Sequence, residues 1–310
     1  PVGIAVFALC LWLLPGGAGM GQGRLDVAGA VTVTASLMIA VYAIVNGNQV
    51  GWLTARTLGL LAASAVLLGV FLALEARVRS PLVPLGLFKH RNVSVANVVG
   101  VLWAAAMFGL FFLSALYLQR VLGYDPLHVG LAFVPTSLIM GFFSLGLSAK
   151  LVLRFGIRKP LGIGLGLAAA GLLLFARAPV GGDYWMDVLP GMILLGCGAG
   201  MAFNPLLLAA MSDVPPEESG LASGVVNTAF MMGGALGLAV LASLAQRRSE
   251  TLRAAGHSLA ESLNGGYHVA FLTGAALAAA GAVLGVTLLR DQPAAAHAPA
   301  GELATVGADE

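Results

Sequence analysis

The run VSVANVVGVLWAAAMFGLFFLSALYL, residues 93–118, contains no charged side chain. About 20 consecutive apolar residues cross the hydrocarbon core of a bilayer as an α-helix, so this run predicts a membrane-spanning helix. The same pattern recurs along the chain. The other charge-free runs are residues 27–46, 57–74, 127–149, 161–176, 188–211, 221–245 and 269–289, and a shorter run occupies residues 1–14.

The composition agrees with a protein that is embedded in a bilayer. Of the 310 residues, 59% are hydrophobic and 10% are charged, whereas an average soluble domain has about 25% charged residues. Too few polar side chains remain to cover a surface in water, which excludes a soluble globule. We therefore predict an all-α integral membrane protein, a helical bundle with about eight full transmembrane helices plus a partial first one.

The charged and reactive residue types exclude several functional classes. The net charge of +2 gives no reason to expect a nucleic-acid partner. Cys10 and Cys197 lie in separate apolar runs, so we interpret them as buried thiols rather than as a disulfide or a metal site. A membrane enzyme is not indicated, because the spans hold no paired aspartates, histidine cluster or Ser–His pair. Asp26 and Glu75 are at the ends of spans, so no carboxylate lies mid-span to carry protons.

Basic loops indicate the orientation of the chain in the membrane. The segment SAKLVLRFGIRKPLGIG, residues 148–164, gathers four cations and no carboxylate, and the loop at residues 77–91 is similarly basic. Loops rich in Lys and Arg are cytoplasmic in multipass proteins. Alternation of the spans then places 10 of the 16 Lys and Arg residues on the cytoplasmic side. The predicted loop at residues 246–267 departs from this trend, because three of its arginines then lie outside beside two glutamates.

A tight turn is predicted within the basic segment 148–164. Gly156 permits the turn, and Arg154, Arg158 and Lys159 can bond the last carbonyls of the preceding helix or lipid phosphates. On charge alone these cations are a topology anchor on the cytoplasmic side.

The spacing of this turn supports a second interpretation. The order Arg, aromatic, Gly, x, Arg, Lys, x, Leu at residues 154–161 resembles the basic loop motif of the major facilitator superfamily, in its second-half copy. The resemblance implies that the cations are half of a conformational latch. Ala149 and Leu153 replace the first glycine and the aspartate of the motif, so the basic half is present and the acid is not.

Four longer stretches are similar to the fourteen-helix EmrB/QacA-type branch of that superfamily. This branch has two extra helices between its six-helix halves, and the opening PVG also resembles the end of its helix six. The resemblance implies a major-facilitator-type bundle and the C-terminal portion of such a protein. The stretches are DVAGAVTVTASLMIAVYAIVNG at 26–47, EARVRSPLVPLGLF at 75–88, YLQRVLGYDPLHVGLAFVP at 117–135 and GLASGVVNTAFMMGGALGLAVLASL at 220–244.

The resemblance divides the chain into four parts. The six-helix part has two three-span units, 93–178 and 188–290, as inverted three-helix repeats do. The first five helices of the family, which carry its proton-carrying acid, are expected to be missing. The parts are residues 1–14, the end of a truncated helix six; 15–92, two inserted helices with a basic cytoplasmic loop; 93–290, the C-terminal six-helix bundle; and 291–310, a disordered cytoplasmic tail.

The function that the resemblance implies is secondary active transport. This chain would be the C-terminal part of a proton-coupled multidrug or small-molecule exporter in a bacterial cytoplasmic membrane. Alternating access would rock it against the missing N-terminal half of the same protein, with a lipophilic or cationic substrate held between them. The lipid bilayer would surround it. No cofactor or metal is expected, and a proton gradient would supply the energy. Two alternatives stay open: an exporter of another cargo (antibiotic, peptide, sugar or amino acid), or a truncated membrane protein that transports nothing.

Uncharged polar residues at membrane depth are the candidate cavity residues. Asn97, Gln119 and Asn227 belong to this set, and so does Asn204, which precedes Pro205. Each can make an interhelical hydrogen bond worth about 1 kcal/mol, or can line the cavity and orient a substrate. Asn204 with Pro205 is the strongest candidate, because the proline frees a backbone carbonyl within its span and permits a kink.

Glycines and aromatic side chains form two further patterns. Gly233, Gly234 and Gly237 include a small-xxx-small pattern, which lets helices approach closely. We interpret these glycines as helix-packing residues, and rocking transporters use such contacts to slide. Aromatic residues on the span 93–118 either pack or form an adaptable wall for flat cations. They are Trp103, Phe108, Phe111 and Phe112.

Overall fold

The computed structural model describes residues 26–78, 81–83, 85–212, 214 and 219–290, with the scattered positions 3, 6, 7, 9 and 12. Eight helices in these ranges are long and apolar enough to cross a membrane, which confirms the predicted fold class. Most of the predicted partial first span and the whole predicted tail lie outside the described residues. The helices are α1 (Val27–Val50), α2 (Ala55–Glu75), α3 (Arg91–Arg120), α4 (Pro126–Phe155), α5 (Arg158–Phe175), α6 (Tyr184–Met211), α7 (Ser219–Ala254) and α8 (Leu259–Leu288).

Polar caps determine where several of these helices begin. The Asp26 carboxylate accepts a hydrogen bond from the Gly29 amide at the start of α1, and Asp125 caps α4 in the same way. Ser258 and Glu261 form a reciprocal capping box at the start of α8. These caps satisfy amide groups that have no partner within the helix, so the helices begin at defined residues.

α7 is longer than the sequence predicts. The charge pattern predicts a loop from residue 246, whereas the helix continues to Ala254. Its last turns carry a local side-chain bond, because Gln246 Nε2 donates to Glu250 Oε1 at 2.9 Å. Charged residues end an apolar run without ending the helix, since the polar side chains of the extra turns are solvated outside the bilayer.

The bundle is arranged around α3. This helix packs against α6, α7 and α8, while α5 packs on α6 and α8, and α4 packs mainly on α6. Trp103 and Tyr117 of α3 are fully buried in the resulting core. The rings of Phe175 in α5 and Phe271 in α8 lie 5.3 Å apart and join those two helices.

α1 and α2 form a hairpin that packs on the bundle through contacts between α1 and α7. Ser36 and Ser64 join the two helices, because each hydroxyl donates to the backbone carbonyl of the other residue at 2.8 Å. Ser243 Oγ of α7 donates to the Ile44 carbonyl of α1 at 3.0 Å. Such bonds favour helix association in an environment that offers no water to compete.

α4 is irregular along its length. It consists of α-helical segments at Pro126–Ala132, Val134–Phe142 and Ser148–Phe155, with a π-helical turn at Phe143–Leu147. Gly146 in this turn has φ 179° and ψ −31°, which is not a helical conformation. A π-helical turn interrupts the regular hydrogen bonding, so the backbone groups around it need other partners.

Candidate functional site

Pro205 interrupts the hydrogen bonding of α6, and α4 supplies the missing donor. Proline has no N–H, so the Met201 carbonyl one turn earlier loses its helical partner. Ser148 Oγ of α4 donates to that carbonyl at 3.3 Å. Asn204 Nδ2 in turn donates to the Ser144 carbonyl in the π-helical turn at 3.1 Å. Each of these two side chains therefore bonds one backbone carbonyl of the neighbouring helix. We call Ser144, Ser148, Met201, Asn204 and Pro205 the kink seam.

Glycines bring α4 and α6 close together along the kink seam. A Cβ on Gly196 would lie 2.8 Å from the Thr136 carbonyl oxygen, and one on Gly200 would lie 2.7 Å from the Met140 carbonyl oxygen. Real Cβ atoms do not approach backbone atoms so closely. Any side chain at these two positions would therefore push α4 away from α6.

A cleft of about 250 Å³ with aromatic walls opens between α6 and α7. One of its lining residues, Phe203, directly precedes Asn204 in the chain. Phe203 is 45% exposed on the α6 side, and Asn227 is exposed on the α7 side. The Phe230 ring meets Phe203 and Phe108 edge to face, with centroids 6.1 and 6.2 Å away. An aromatic face carries partial negative charge, so the cleft suits an apolar or cationic molecule. We call the space lined by Phe203, Asn227 and Phe230 the aromatic cleft.

A second cleft, of about 770 Å³, lies between the first turns of α4 and α6. Tyr124 and His128 line one side of it, and Tyr184 and Trp185 line the other. The Asp125 carboxylate accepts from the His128 amide at 2.9 Å and lies 2.7 Å from His128 Nδ1, and these bonds hold the pKa of Asp125 below its ordinary value. Nothing in the sequence indicates this second cleft, because its aromatic residues come from two segments that are distant in the chain.

The three glycines of α7 face α3. A Cβ on Gly233 would lie 2.7 Å from Val101 Cα, one on Gly234 would meet an aromatic ring of α3 at 2.8 Å, and one on Gly237 would overlap Ala105. The backbones of α3 and α7 are therefore almost in contact. This approach sets the position of α3 relative to the aromatic cleft.

The basic turn between α4 and α5 is bonded to the end of α8. Gly156 ends α4 with φ +76°, a left-handed conformation that glycine adopts without strain. Arg158 Nε donates to the Val286 carbonyl at 2.7 Å, and Arg91 Nε donates to the Leu288 carbonyl at 2.8 Å. These carbonyls belong to α8, whereas the sequence predicted bonds to the last carbonyls of the preceding helix or to lipid phosphates. Two arginines therefore stabilise the negative end of the α8 dipole.

The other two cations of the motif, Arg154 and Lys159, are exposed. The Arg154 guanidinium lies 5.3 Å from the centroid of the Phe155 ring. In the part of the chain that the structure describes, neither cation forms an ion pair with a carboxylate. Both are therefore accessible to lipid phosphates or to another segment of protein.

Asn97 and Gln119 lie outside both clefts. Asn97 is buried in α3, where its Nδ2 donates to the Val93 carbonyl at 2.8 Å and its Oδ1 has no partner among the described residues. Gln119 is exposed at the end of α3. The structure thus places Asn227 in the aromatic cleft and Asn204 in the kink seam, and it leaves the other two candidates apart from them.

Both clefts have walls whose composition suits the binding of small molecules. Their walls are mostly apolar and aromatic, with a few amide, hydroxyl and imidazole groups. Over the described ranges, no group of His, Cys, Asp and Glu side chains is arranged to hold a metal ion. Sites of this composition bind amphipathic molecules through apolar contact and orient them with few polar groups.

The described residues form a bundle with eight helices that are long and apolar enough to cross a membrane. With its broken helix, close glycine contacts and apolar clefts, this bundle is built like a secondary transporter. The family model of the Major Facilitator Superfamily matches residues 27–238. The chain belongs to this superfamily, and it is a multipass protein of the cell membrane.

Three curated proteins illustrate what this chain is similar to. The chain is 36% identical over 220 residues to the puromycin resistance protein pur8 of Streptomyces alboniger, a match that covers 70% of this chain and 44% of that protein. It is 32% identical over 244 residues to the multidrug resistance protein Stp of Mycobacterium tuberculosis, covering 79% and 45%. It is 33% identical over 244 residues to the cephamycin export protein CmcT of Amycolatopsis lactamdurans, covering 78% and 50%. The chain therefore spans about half the length, or less, of these curated relatives.

Proposed function

We propose that this chain is the C-terminal part of a proton-coupled exporter of small molecules that works by alternating access. The observation that carries the proposal is the aromatic cleft, an apolar site on the helix that Pro205 interrupts, in a chain of this superfamily. The names of the relatives support the class of cargo, since they refer to puromycin resistance, multidrug resistance and cephamycin export. In this proposal α1 and α2 are the inserted helices of the fourteen-helix branch, and a missing N-terminal half completes the transporter.

The aromatic cleft supplies one wall of the substrate cavity. Phe203 and Phe230 offer apolar area, and a cation held over such a ring gains about 0.5–2 kcal/mol. Asn227 offers an amide donor and an acceptor that can orient the bound molecule. Because the wall has so few polar groups, it selects for shape and hydrophobicity more than for a particular functional group, which favours a broad range of substrates.

The kink seam supplies a point at which the bundle can bend. The Met201 carbonyl of α6 is held by the Ser148 hydroxyl of a different helix instead of by an amide of its own helix. Breaking such a bond costs about 1 kcal/mol, so α4 can move against α6 without unfolding either helix. The exposed Arg154 and Lys159 would then pair with an acidic group of the missing half when the cytoplasmic side closes.

A transport assay on the full-length protein tests this proposal. The host is a bacterium that lacks its own principal drug pumps, and the measurement is efflux of ethidium from preloaded, energised cells. We expect faster efflux than in cells with an empty vector, and loss of the difference when an uncoupler dissipates the proton gradient. Export of puromycin or a cephamycin without any dye would replace the multidrug proposal with a single-drug exporter. Absence of all export by protein that is shown to be in the membrane would refute transport.

A further inference from the structure

A cavity of about 900 Å³ lies between the α1–α2 hairpin and the bundle, and it shares no lining residue with either cleft. α1 is the hairpin helix that packs on α7. Leu68 and Phe71 of α2 line one side of the cavity, and residues 101–105 of α3 and 220–241 of α7 supply lining residues of the other side. We call this space the hairpin cavity.

The walls of the hairpin cavity carry very few polar groups. Among the described residues that line it, Thr34 and Thr228 are the polar side chains, and none is charged. A buried water needs about two to four polar partners, so water is poorly held in such a space. An empty space would forfeit the dispersion contacts of its lining. The cavity therefore suits an apolar occupant, and the bilayer around the hairpin can supply one.

The shape of the hairpin cavity fits a hydrocarbon chain. Its α7 wall extends from Gly220 to Leu241, which is about 30 Å of helix at about 1.5 Å per residue. About 900 Å³ over that length gives a mean cross-section of about 30 Å², or a width of about 6 Å. An α-helix with its side chains is about 10–12 Å wide, so another helix does not fit. A hydrocarbon chain does fit, because carbon atoms in contact lie about 3.5–4.0 Å apart.

Two glycines of α7 border the open part of the hairpin cavity. Gly220 and Gly224 both line it, and a Cβ on either residue would have no neighbouring atom within 4 Å in the described structure. Gly233 and Gly237, further along the same helix, lie against α3. A long side chain at Gly224 can therefore occupy the cavity without pushing two helices apart.

The end of the hairpin cavity at which α2 stops is basic. The short 3-10 helix Leu85–Lys89 contributes to the lining here, and Lys89 and Arg77 are exposed. Asp26 and Glu75, the carboxyl groups that the structure describes at this end, are buried. This basic loop is predicted to face the cytoplasm, where anionic lipids give the leaflet a negative surface potential. The exposed charge therefore favours a phosphate headgroup at this end.

We propose that the hairpin cavity binds an anionic phospholipid of the cytoplasmic leaflet, with an acyl chain along α7 and the phosphate beside Lys89 and Arg77. The lipid fills the space between α2 and the bundle and so stabilises the docking of the hairpin. Its basic end disfavours a cationic cargo, in contrast to the aromatic cleft. This inference does not rest on the proposed export, because the lipid binds whether or not the chain transports a substrate.

Photo-cross-linking of the full-length protein in lipid nanodiscs tests the site. The probe is a phosphatidylglycerol with a diazirine on one acyl chain, present in trace amount in unlabelled phosphatidylcholine, and the adducts are mapped by mass spectrometry. We expect adducts concentrated at residues 220–241 of α7 and 101–105 of α3. A phosphatidylcholine probe with the same acyl chain should label these segments about fivefold less, because one cation near an anionic headgroup changes binding by about that factor.

Two pairs of variants separate the hairpin cavity from the rest of the surface. Gly224→Leu places a side chain in the cavity and should reduce the labelling of these segments to background. Its control is Gly69→Leu on α2, where a Cβ also has no neighbour within 4 Å but the residue does not line the cavity. Lys89→Gln should lower the labelling about fivefold, whereas Arg248→Gln, which removes an exposed cation near the other end of α7, should leave it unchanged.

Adducts spread evenly over the outward faces of the helices would overturn the proposal, because the probe would then report bulk lipid. Equal labelling by the two probes would also overturn it, and so would displacement of the label by ethidium, which would make the cavity a drug site. Absence of adducts in these segments would mean that another part of the full-length protein fills the cavity. If the variants do not fold, the adduct map of the wild type and the comparison of the two probes still decide.

Discussion

The close contact between α3 and α7 leads to a quantitative prediction about Gly237. A Cβ at this position would overlap Ala105 and lie 2.5 Å from its Cα, whereas ordinary van der Waals contact begins at 3.4 Å. The obstructing atoms are backbone and a Cβ, which cannot rotate away as a long side chain would. Gly237→Ala therefore requires the helices to separate by about 1 Å.

The expected loss of stability follows from two opposing effects. Overpacking of this kind costs about 1–3 kcal/mol, and a rigid obstruction belongs in the upper part of that range. Alanine in place of glycine stabilises a helix by about 1 kcal/mol. The net decrease in the free energy of unfolding is therefore about 1–2 kcal/mol.

Gly224→Ala is the matched control, because Gly224 lies on the same helix and a Cβ there has no neighbouring atom within 4 Å in the described structure. This substitution should leave the protein as stable as the wild type, or more stable by up to about 1 kcal/mol. The assay is denaturant unfolding in one detergent, followed by tryptophan fluorescence. Equal stability of the two variants would refute the close approach of α3 and α7.

Three further predictions concern the turn and the clefts. Arg158→Gln should lower the free energy of unfolding by about 1–2 kcal/mol, because it removes a charged hydrogen bond to α8. Lys159→Gln is the control and should change the free energy of unfolding by less than about 0.5 kcal/mol. Equal losses of stability in the two variants would contradict the bond between Arg158 and α8. Asn227→Ala should leave unfolding unchanged but alter the relative efflux of several cationic dyes, and an unaltered profile would remove it from the cavity wall. The lowered pKa of Asp125 means that its cap stabilises α4 above the ordinary pKa of the group and is lost as the pH falls through the folded value. Amide exchange at the start of α4 should therefore rise at acid pH in the wild type, and Asp125→Asn should abolish that rise; a rise that persists in the variant would count against the cap.

The sequence predicted the membrane spans well because hydropathy is a local property. Most of the apolar runs are long enough to cross the bilayer on their own, whatever they pack against. The end of α7 shows the limit of this reasoning, since the charged residues that close its apolar run continue the helix to Ala254. Hydropathy reports where the bilayer ends, whereas backbone hydrogen bonding decides where the helix ends.

The candidate polar residues illustrate a second limit. Asn97 and Asn204 look alike in the sequence, as single amides within apolar runs. In the structure Asn97 bonds its own helix, and Asn204 bonds the irregular turn of α4, 60 positions away. The donor to the Met201 carbonyl, which Pro205 leaves without its helical partner, was equally unpredictable, because nothing near Ser148 in the sequence indicates that its hydroxyl reaches this carbonyl. The functional roles of these residues remain predictions.

The sequence by itself determined that a bilayer surrounds this protein, where the eight spans of its described part lie and to which superfamily it belongs. These properties depend on composition and on short motifs along one chain. Only the tertiary structure decided which side chains meet. Asp26 and Glu75 are both at span ends in the sequence, yet their burial and their shared space beside Gly29 follow from the hairpin. Packing between helices is set by contacts distant in sequence, and hydropathy contains no information about them.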